Sequence, residues 1–154
     1  MQPTKNIGYL LQHTAATLAR QSDQVLQERL GVGFSQFKIL MTLQWNPGVQ
    51  QKHIAESLGQ TEASISRQIK LMHEAGLLQS KVSPRNKREH LTTLTRKGER
   101  LADEALNVLN GYHAPMWQTI GEKGQKQLVE LLQQMHQEAC KGVKPGRCYQ
   151  SYLD

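Results

Sequence analysis

The stretch "QKHIAESLGQTEASISRQIKLM", Gln51 to Met72, decides the fold. Its apolar positions Ile54, Leu58, Ile65, Ile69 and Met72 repeat at helical spacing within two short segments, Gln51–Leu58 and Thr61–Ala75, with little but Gly59 and Gln60 between them. Two helices joined so tightly need a small residue where they cross and a backbone turn of positive φ between them. Ala55 and Gly59 stand at those places, and the pattern predicts a helix-turn-helix.

Reading outward toward the C-terminus, Gly76 is followed by two extended runs, Leu77–Val82 and His90–Leu94, on either side of the loop Ser83–Glu89. This is a hairpin with a long basic tip. Thr95 is placed as the N-cap of a long helix with Leu101, Ala105, Leu106, Leu109 and Met116 on its apolar face. Asn110-Gly111 and Pro115 are expected to kink or interrupt that helix. A last helix covers about Glu122 to Ala139 and carries Leu128, Leu131, Leu132 and Met135. Toward the N-terminus, a helix starts near Ser35, expected as its N-cap, and ends at Trp45 before the turn Asn46-Pro47-Gly48. Before it, Asn6 to Leu30 reads as a helix closed by Gly31 and Gly33.

The fold class that follows is mainly α with a small β-wing: a winged helix-turn-helix with N- and C-terminal dimerisation helices. The expected division is an N-terminal dimerisation helix over 1–34, a winged lobe over 35–97, C-terminal dimerisation helices over 98–141 and a loose tail over 142–154. The apolar stripes on the first helix and on Leu128–Met135 exceed what a small winged core covers, which points to a second copy of the chain as their partner; a single-chain helical core is the alternative.

The 154 residues carry a net charge of +6. Between Lys81 and Arg100 stand seven Lys or Arg against two Glu, a local balance of +5. Nearly all the excess charge therefore sits on the hairpin and the start of the next helix, where a polyanion is the natural partner. With Ile65, Ile69 and Met72 turned inward, the second helix of the motif presents Ala63, Arg67 and Lys70, flanked by Ser64 and Ser66. Small residues at the N-terminal end let such a helix enter a major groove, where Ser64 and Arg67 reach base edges or phosphates. Gln60 and Thr61 offer an amide and a hydroxyl at the helix start, itself an anion-favouring end. On the wing, Arg85 is placed for a minor groove and Lys87 for phosphate, while Arg88 either binds phosphate or braces the loop. Arg96 and Lys97 oppose the dipole of the helix they begin, which an anion docked nearby would relieve.

No run approaches the roughly 18 apolar residues of a membrane span, and the N-terminus lacks a signal-peptide block, so a cytoplasmic location without membrane contact is expected. Cys140 and Cys148 have no CxxC or zinc-finger spacing; free thiols are expected in a reducing cytosol, with a redox switch as the alternative. The six His are scattered without ligand spacing, and neither a metal nor a cofactor is expected. Glycine-rich phosphate loops, paired carboxylates and Cys–His arrangements with a third orienting group are all missing, which argues against an enzyme.

Gln51–Met72, the basic hairpin and the step Leu94-Thr95-Arg96-Lys97-Gly98 together resemble the MarR family of bacterial transcriptional regulators, over almost the whole chain. The family wing reads Asp-x-Arg-Asp-x-Arg ahead of Leu-Thr-x-x-Gly. Here Arg85 and Arg88 match the arginines, while Ser83 and Asn86 replace the acids and leave the wing more positive. The resemblance implies a homodimer with intertwined terminal helices that reads a pseudo-palindromic operator in double-stranded DNA. It also implies a small aromatic or phenolic ligand that releases DNA, with His13, Phe37, Met41 and Trp45 as candidate pocket residues and Tyr112 a weaker one. The oxidant-sensing members use a cysteine in the first helix, which this chain lacks. The expected function is a sequence-specific, ligand-released repressor; the alternative is a non-specific or protein-recruiting winged-helix module without a ligand.

Overall fold

The structure, a computed structural model, describes residues 3–87 and 90–142. Arg88, Cys148 and nearly all of the expected tail lie outside the described residues. A short 3-10 turn, Pro3–Lys5, leads into helices α1 (Ile7–Leu30), α2 (Phe34–Trp45), α3 (Gln51–Leu58) and α4 (Glu62–Glu74), strands β1 (Leu78–Val82) and β2 (His90–Leu94), and the long helix α5 (Arg96–Ala139). No helix among the described residues is long and apolar enough to cross a membrane.

The core forms around α2, whose Phe37, Ile39, Leu40, Met41, Thr42 and Leu43 are all buried. Thr42 is tolerated there because its hydroxyl donates to the Lys38 carbonyl at 2.8 Å. Ile54 and Ala55 of α3, Ile65, Ile69 and Met72 of α4, and Ala102, Ala105 and Leu109 of α5 close around it. The strands pair antiparallel from Leu78 opposite Leu94 to Val82 opposite His90. Val49, before α3, adds an isolated bridge to Thr92, whose amide donates to the Val49 carbonyl at 2.9 Å. That third rung ties the wing to the helix-turn-helix, and no turn or periodicity signal announced it.

The turn at Gly59 is left-handed, with φ 61°, as the motif requires. Asn6 caps α1 by accepting from the Tyr9 amide at 2.9 Å, and Gly31 ends it at φ 68°. Two boundaries differ from the sequence expectation. The N-cap of α2 is Gly33, not Ser35. Asp23 of α1 accepts from the Phe34 amide at 2.8 Å and Gln36 accepts from Gly33 at 3.1 Å, so carboxylate and amide side chains satisfy the free end in place of a serine. The second difference lies in α5. Helical backbone continues through Asn110-Gly111 and Pro115, and the break falls at Gly121, with φ 65° and ψ 172°. Pro115 lacks the amide that would bond the Gly111 carbonyl, and both residues lie on an exposed face. Gly121 alone can take a conformation closed to other residues, and the Gln125 amide donates at 3.0 Å to the Trp117 carbonyl freed by the break. The helix expected over Glu122–Ala139 is thus the second arm of α5.

Burial is uneven. All buried residues of α5 (Gly98, Ala102, Ala105 and Leu109) lie in its first four turns, and in α1 only Ser22, Val25 and Leu26, near its end, are buried. The remaining arms expose Ile7, Tyr9, Leu10 and Leu11 on α1, and Trp117, Ile120, Leu128 and Leu131 among others on α5.

Candidate nucleic-acid interface

α4 begins after Thr61 because the Thr61 hydroxyl accepts from the Ser64 amide at 3.2 Å. From that start the period turns Ile65, Ile69 and Met72 inward, each at most 2 % exposed. Ala63, Ser66, Arg67 and Lys70 are exposed on the other side, with Ser64 half-buried at the margin. The face expected from the sequence is therefore assembled, with two adjustments. Gln60 is half-buried and its amide lies 3.5 Å from the Ser35 hydroxyl, leaning on the start of α2 rather than standing free. Leu71, 54 % exposed, lies one turn beyond Arg67 on the outward face. Sequence reasoning missed it because an apolar side chain in a short helix counts toward the core; its place four residues after Arg67 was the available signal.

On the wing, Arg85 and Lys87 are exposed. Ser83 is buried, and its hydroxyl accepts from the Arg85 amide at 3.3 Å. A serine hydroxyl makes the same local turn as an aspartate carboxylate without adding negative charge. Arg67, Lys70, Arg85 and Lys87 stand in no ion pair among the described residues. Four cations thus face outward from α4 and the wing with their charge unspent.

α4 and α5 meet at a dense joint. The Leu77 carbonyl accepts from the Thr95 amide at 3.0 Å, and the Thr95 hydroxyl donates to the Gly76 carbonyl at 2.7 Å. The same hydroxyl accepts from the Gly98 amide at 3.1 Å and so caps α5. Lys97 donates to the Ala75 carbonyl at 2.8 Å, at the negative end of α4. This corrects the reading of Lys97 as a mark of a docked anion: its ammonium serves the C-terminus of the neighbouring helix. Gly98 is buried against the Leu77 carbonyl, whose carbon would lie 3.1 Å from a Cβ at that position and whose oxygen would lie nearer still. His73 and Ser80, 3.0 Å apart, add a side-chain link between α4 and β1.

The candidate pocket residues are dispersed between core and surface. Phe37 and Met41 are buried, with Phe37 stacked on Phe34 at 5.8 Å. His13 is exposed and stacks on Tyr9 at 5.5 Å, and Trp45 is 57 % exposed. Two cavities are lined by other residues: one of about 240 Å³ in the fold of α5, walled by Trp117, Ile120, Leu128 and Leu132, and one of about 490 Å³ between α2, the wing and α5. Cys140 is half-buried, with its sulfur 3.5 Å from His136 Nε2.

Residues 30–89 match the family model described as MarR family. The HTH-type transcriptional regulator BilQ of Clostridium symbiosum is 24 % identical over 112 residues, spanning 73 % of this chain and 76 % of BilQ. Among solved structures, CouR of Rhodococcus jostii RHA1 bound to p-coumaroyl-CoA superposes with a TM-score of 0.76 at 22 % identity, covering 88 % of this chain and 94 % of CouR. The repressor CouR bound to a 23-mer DNA duplex gives 0.75 at 22 % identity, covering 86 % and 93 %. The segment that matches the MarR family model holds the helix-turn-helix and the first strand and loop of the wing, and the architecture around it is the fold of these solved regulators.

Proposed function

We propose that the protein is a homodimeric, sequence-specific DNA-binding repressor released by a small aromatic ligand. The observation that carries the reading is the coexistence, on one winged lobe, of an α4 face bearing Ala63, Ser66, Arg67 and Lys70 and a wing tip bearing exposed Arg85 and Lys87. Small residues near the start of α4 permit close approach to base edges, Arg67 and Lys70 supply charge further along, and the capped N-terminus adds its dipole. Thr61, Ser64 and the loosely held Gln60 contribute polar groups at the same end, and Arg88 extends the basic wing in sequence. CouR, of similar fold, has been crystallised both on a DNA duplex and with p-coumaroyl-CoA, which supports a duplex and an aromatic acyl effector as the two ligands. For the effector, His13, Phe37, Met41 and Trp45 remain the candidate contacts, Phe37 and Met41 from the core side and His13 and Trp45 from the surface.

The test is fluorescence anisotropy on a duplex selected from a random pool. With about six phosphates neutralised per dimer, log affinity should fall against log salt with a slope near −5. Arg85→Ala should weaken all duplexes and flatten that slope by about 1 to 2, because each dimer carries two copies. Arg67→Ala should instead lower discrimination between selected and scrambled sequences by about 1–3 kcal/mol. Equal affinity for scrambled DNA would favour the second reading, a non-specific or protein-recruiting module without a ligand, which the density of wing charge supports. A slope shallower than about −2 would remove both.

A further inference from the structure

Among the described residues, the large apolar side chains that stand exposed lie almost entirely on α1 and α5; on the winged lobe they are Trp45, Leu71 and Val82. Leu71 is the one on α4. The core needs nothing from it: Ile65, Ile69 and Met72 anchor that helix and are each at most 2 % exposed, whereas Leu71 is 54 % exposed. At 3.6 residues per turn, Leu71 stands about 40° around the axis from Arg67 and about 20° from Ser64. It lies about 6 Å and about 10 Å further along the helix from them. Ser64, Arg67 and Leu71 therefore form one stripe, with exposed Lys70 beside it and exposed Glu74 at its end. An apolar groove on another protein would take Leu71 only by burying Arg67 and Lys70 with it, and neither cation stands in an ion pair among the described residues. A duplex takes all three. Its phosphates meet the cations, and its major-groove edge offers one apolar group, the C5-methyl of thymine.

We propose, resting on the reading of α4 as the helix that enters the major groove, that Leu71 is a specificity-determining residue: it reads the C5-methyl of a thymine in each half-site. The contact removes that methyl and the leucine from water together, which a polar side chain at the same place would not do. The stripe also fixes where the thymine lies. For a helix running along the groove, an axial separation of about 6 Å spans about two base pairs at about 3.4 Å each. The thymine is therefore within about two pairs of the position that Arg67 contacts.

The experiment measures anisotropy of the full chain on the duplex selected from a random pool, with thymines replaced by deoxyuridine one position at a time in both half-sites. The exchange keeps base pairing and charge and removes the methyl alone. One thymine per half-site should stand out, with affinity falling about fifteenfold, or about fourfold for each of the two methyls lost. It should lie within about two base pairs of the position at which Arg67→Ala relaxes discrimination. Leu71→Ala should bind the thymine duplex about as weakly as the wild type binds the uracil duplex, and the same exchange should then cost the variant less than about twofold. A leucine that only supports the helix would instead weaken both duplexes by one factor and leave the gap between them intact. Leu71→Met keeps an apolar reach and should keep most of the gap. Indifference to every methyl, a gap that survives in Leu71→Ala, or a motif with no thymine near the Arg67 position would overturn the assignment. A pool that yields no motif ends the regulator reading and this assignment with it, whereas a tight motif indifferent to its methyls ends this assignment alone.

Discussion

Gly98→Ala is expected to lower stability by about 3 kcal/mol, at the upper end of the cost of forcing an extra methyl into a packed site. For a chain of this length that is a fall in melting temperature of roughly 6–12 °C at fixed protein concentration. The reason is local. The obstacle to a methyl at Gly98 is the Leu77 backbone carbonyl, not the end of a flexible side chain, and that carbonyl is held by the Thr95 amide at 3.0 Å. Making room means opening the joint at which Thr95 and Lys97 grip the end of α4. Operator affinity should therefore fall further than the loss of folded protein accounts for. Gly111→Ala is the matched control in the same helix. Nothing lies within 4 Å of the Cβ it would add, and it should raise stability by about 0.5–1 kcal/mol through helix propensity. A Gly98→Ala protein that melts with the wild type would mean that α5 does not enter the lobe at this angle.

Gly98 also shows where sequence legibility ends. A Thr-x-x-Gly step can be read as a cap followed by a glycine, but the reason for the glycine is the carbonyl of residue 77, twenty-one positions earlier, which periodicity cannot see. Where a rule is local, sequence and structure agree: Gly59 is left-handed, Thr95 caps its helix, and α3 and β2 have the bounds their patterns implied. Where two segments had to meet, it failed or was silent. The N-cap of α2 moved to Gly33 because Asp23, on another helix, supplied the acceptor. Lys97 looked like a misplaced cation until the end of α4 came beside it. Pro115 was expected on propensity alone to kink or interrupt α5, yet helical backbone continues through it and the break falls at Gly121. The site divides the same way. The outward face of α4 followed from its period, whereas the use of Gln60 by Ser35 and the cavity beneath the wing depend on tertiary neighbours.

If the protein is the proposed dimeric regulator, Leu128→Glu combined with Leu132→Glu should convert it from dimer to monomer and lower operator affinity by a factor of about 10² or more. Both side chains are more than a third exposed on an arm of α5 in which no described residue is buried, and they share a cavity wall with Trp117 and Ile120 of the other arm. Exposed apolar faces of this kind mark interaction surfaces, and the proposed dimer would set this one against the like face at the start of α1 of a second copy. Two glutamates at its centre would have to be buried without partners, a cost that dissociation avoids. The winged core, centred on α2 and the first four turns of α5, contains neither position, so far-UV circular dichroism should retain its helical signal. DNA binding should respond much more strongly than the fold does. Each lobe alone keeps Arg67, Lys70 and Arg85 but loses the second half-site, and joining two modest contacts multiplies affinity by about 10²–10⁴ without any new contact to DNA. Sedimentation equilibrium and anisotropy on the same samples decide it. A variant that stays dimeric, or a monomer that holds the full operator as tightly as wild type, would show that the arms do not set the spacing of the two lobes.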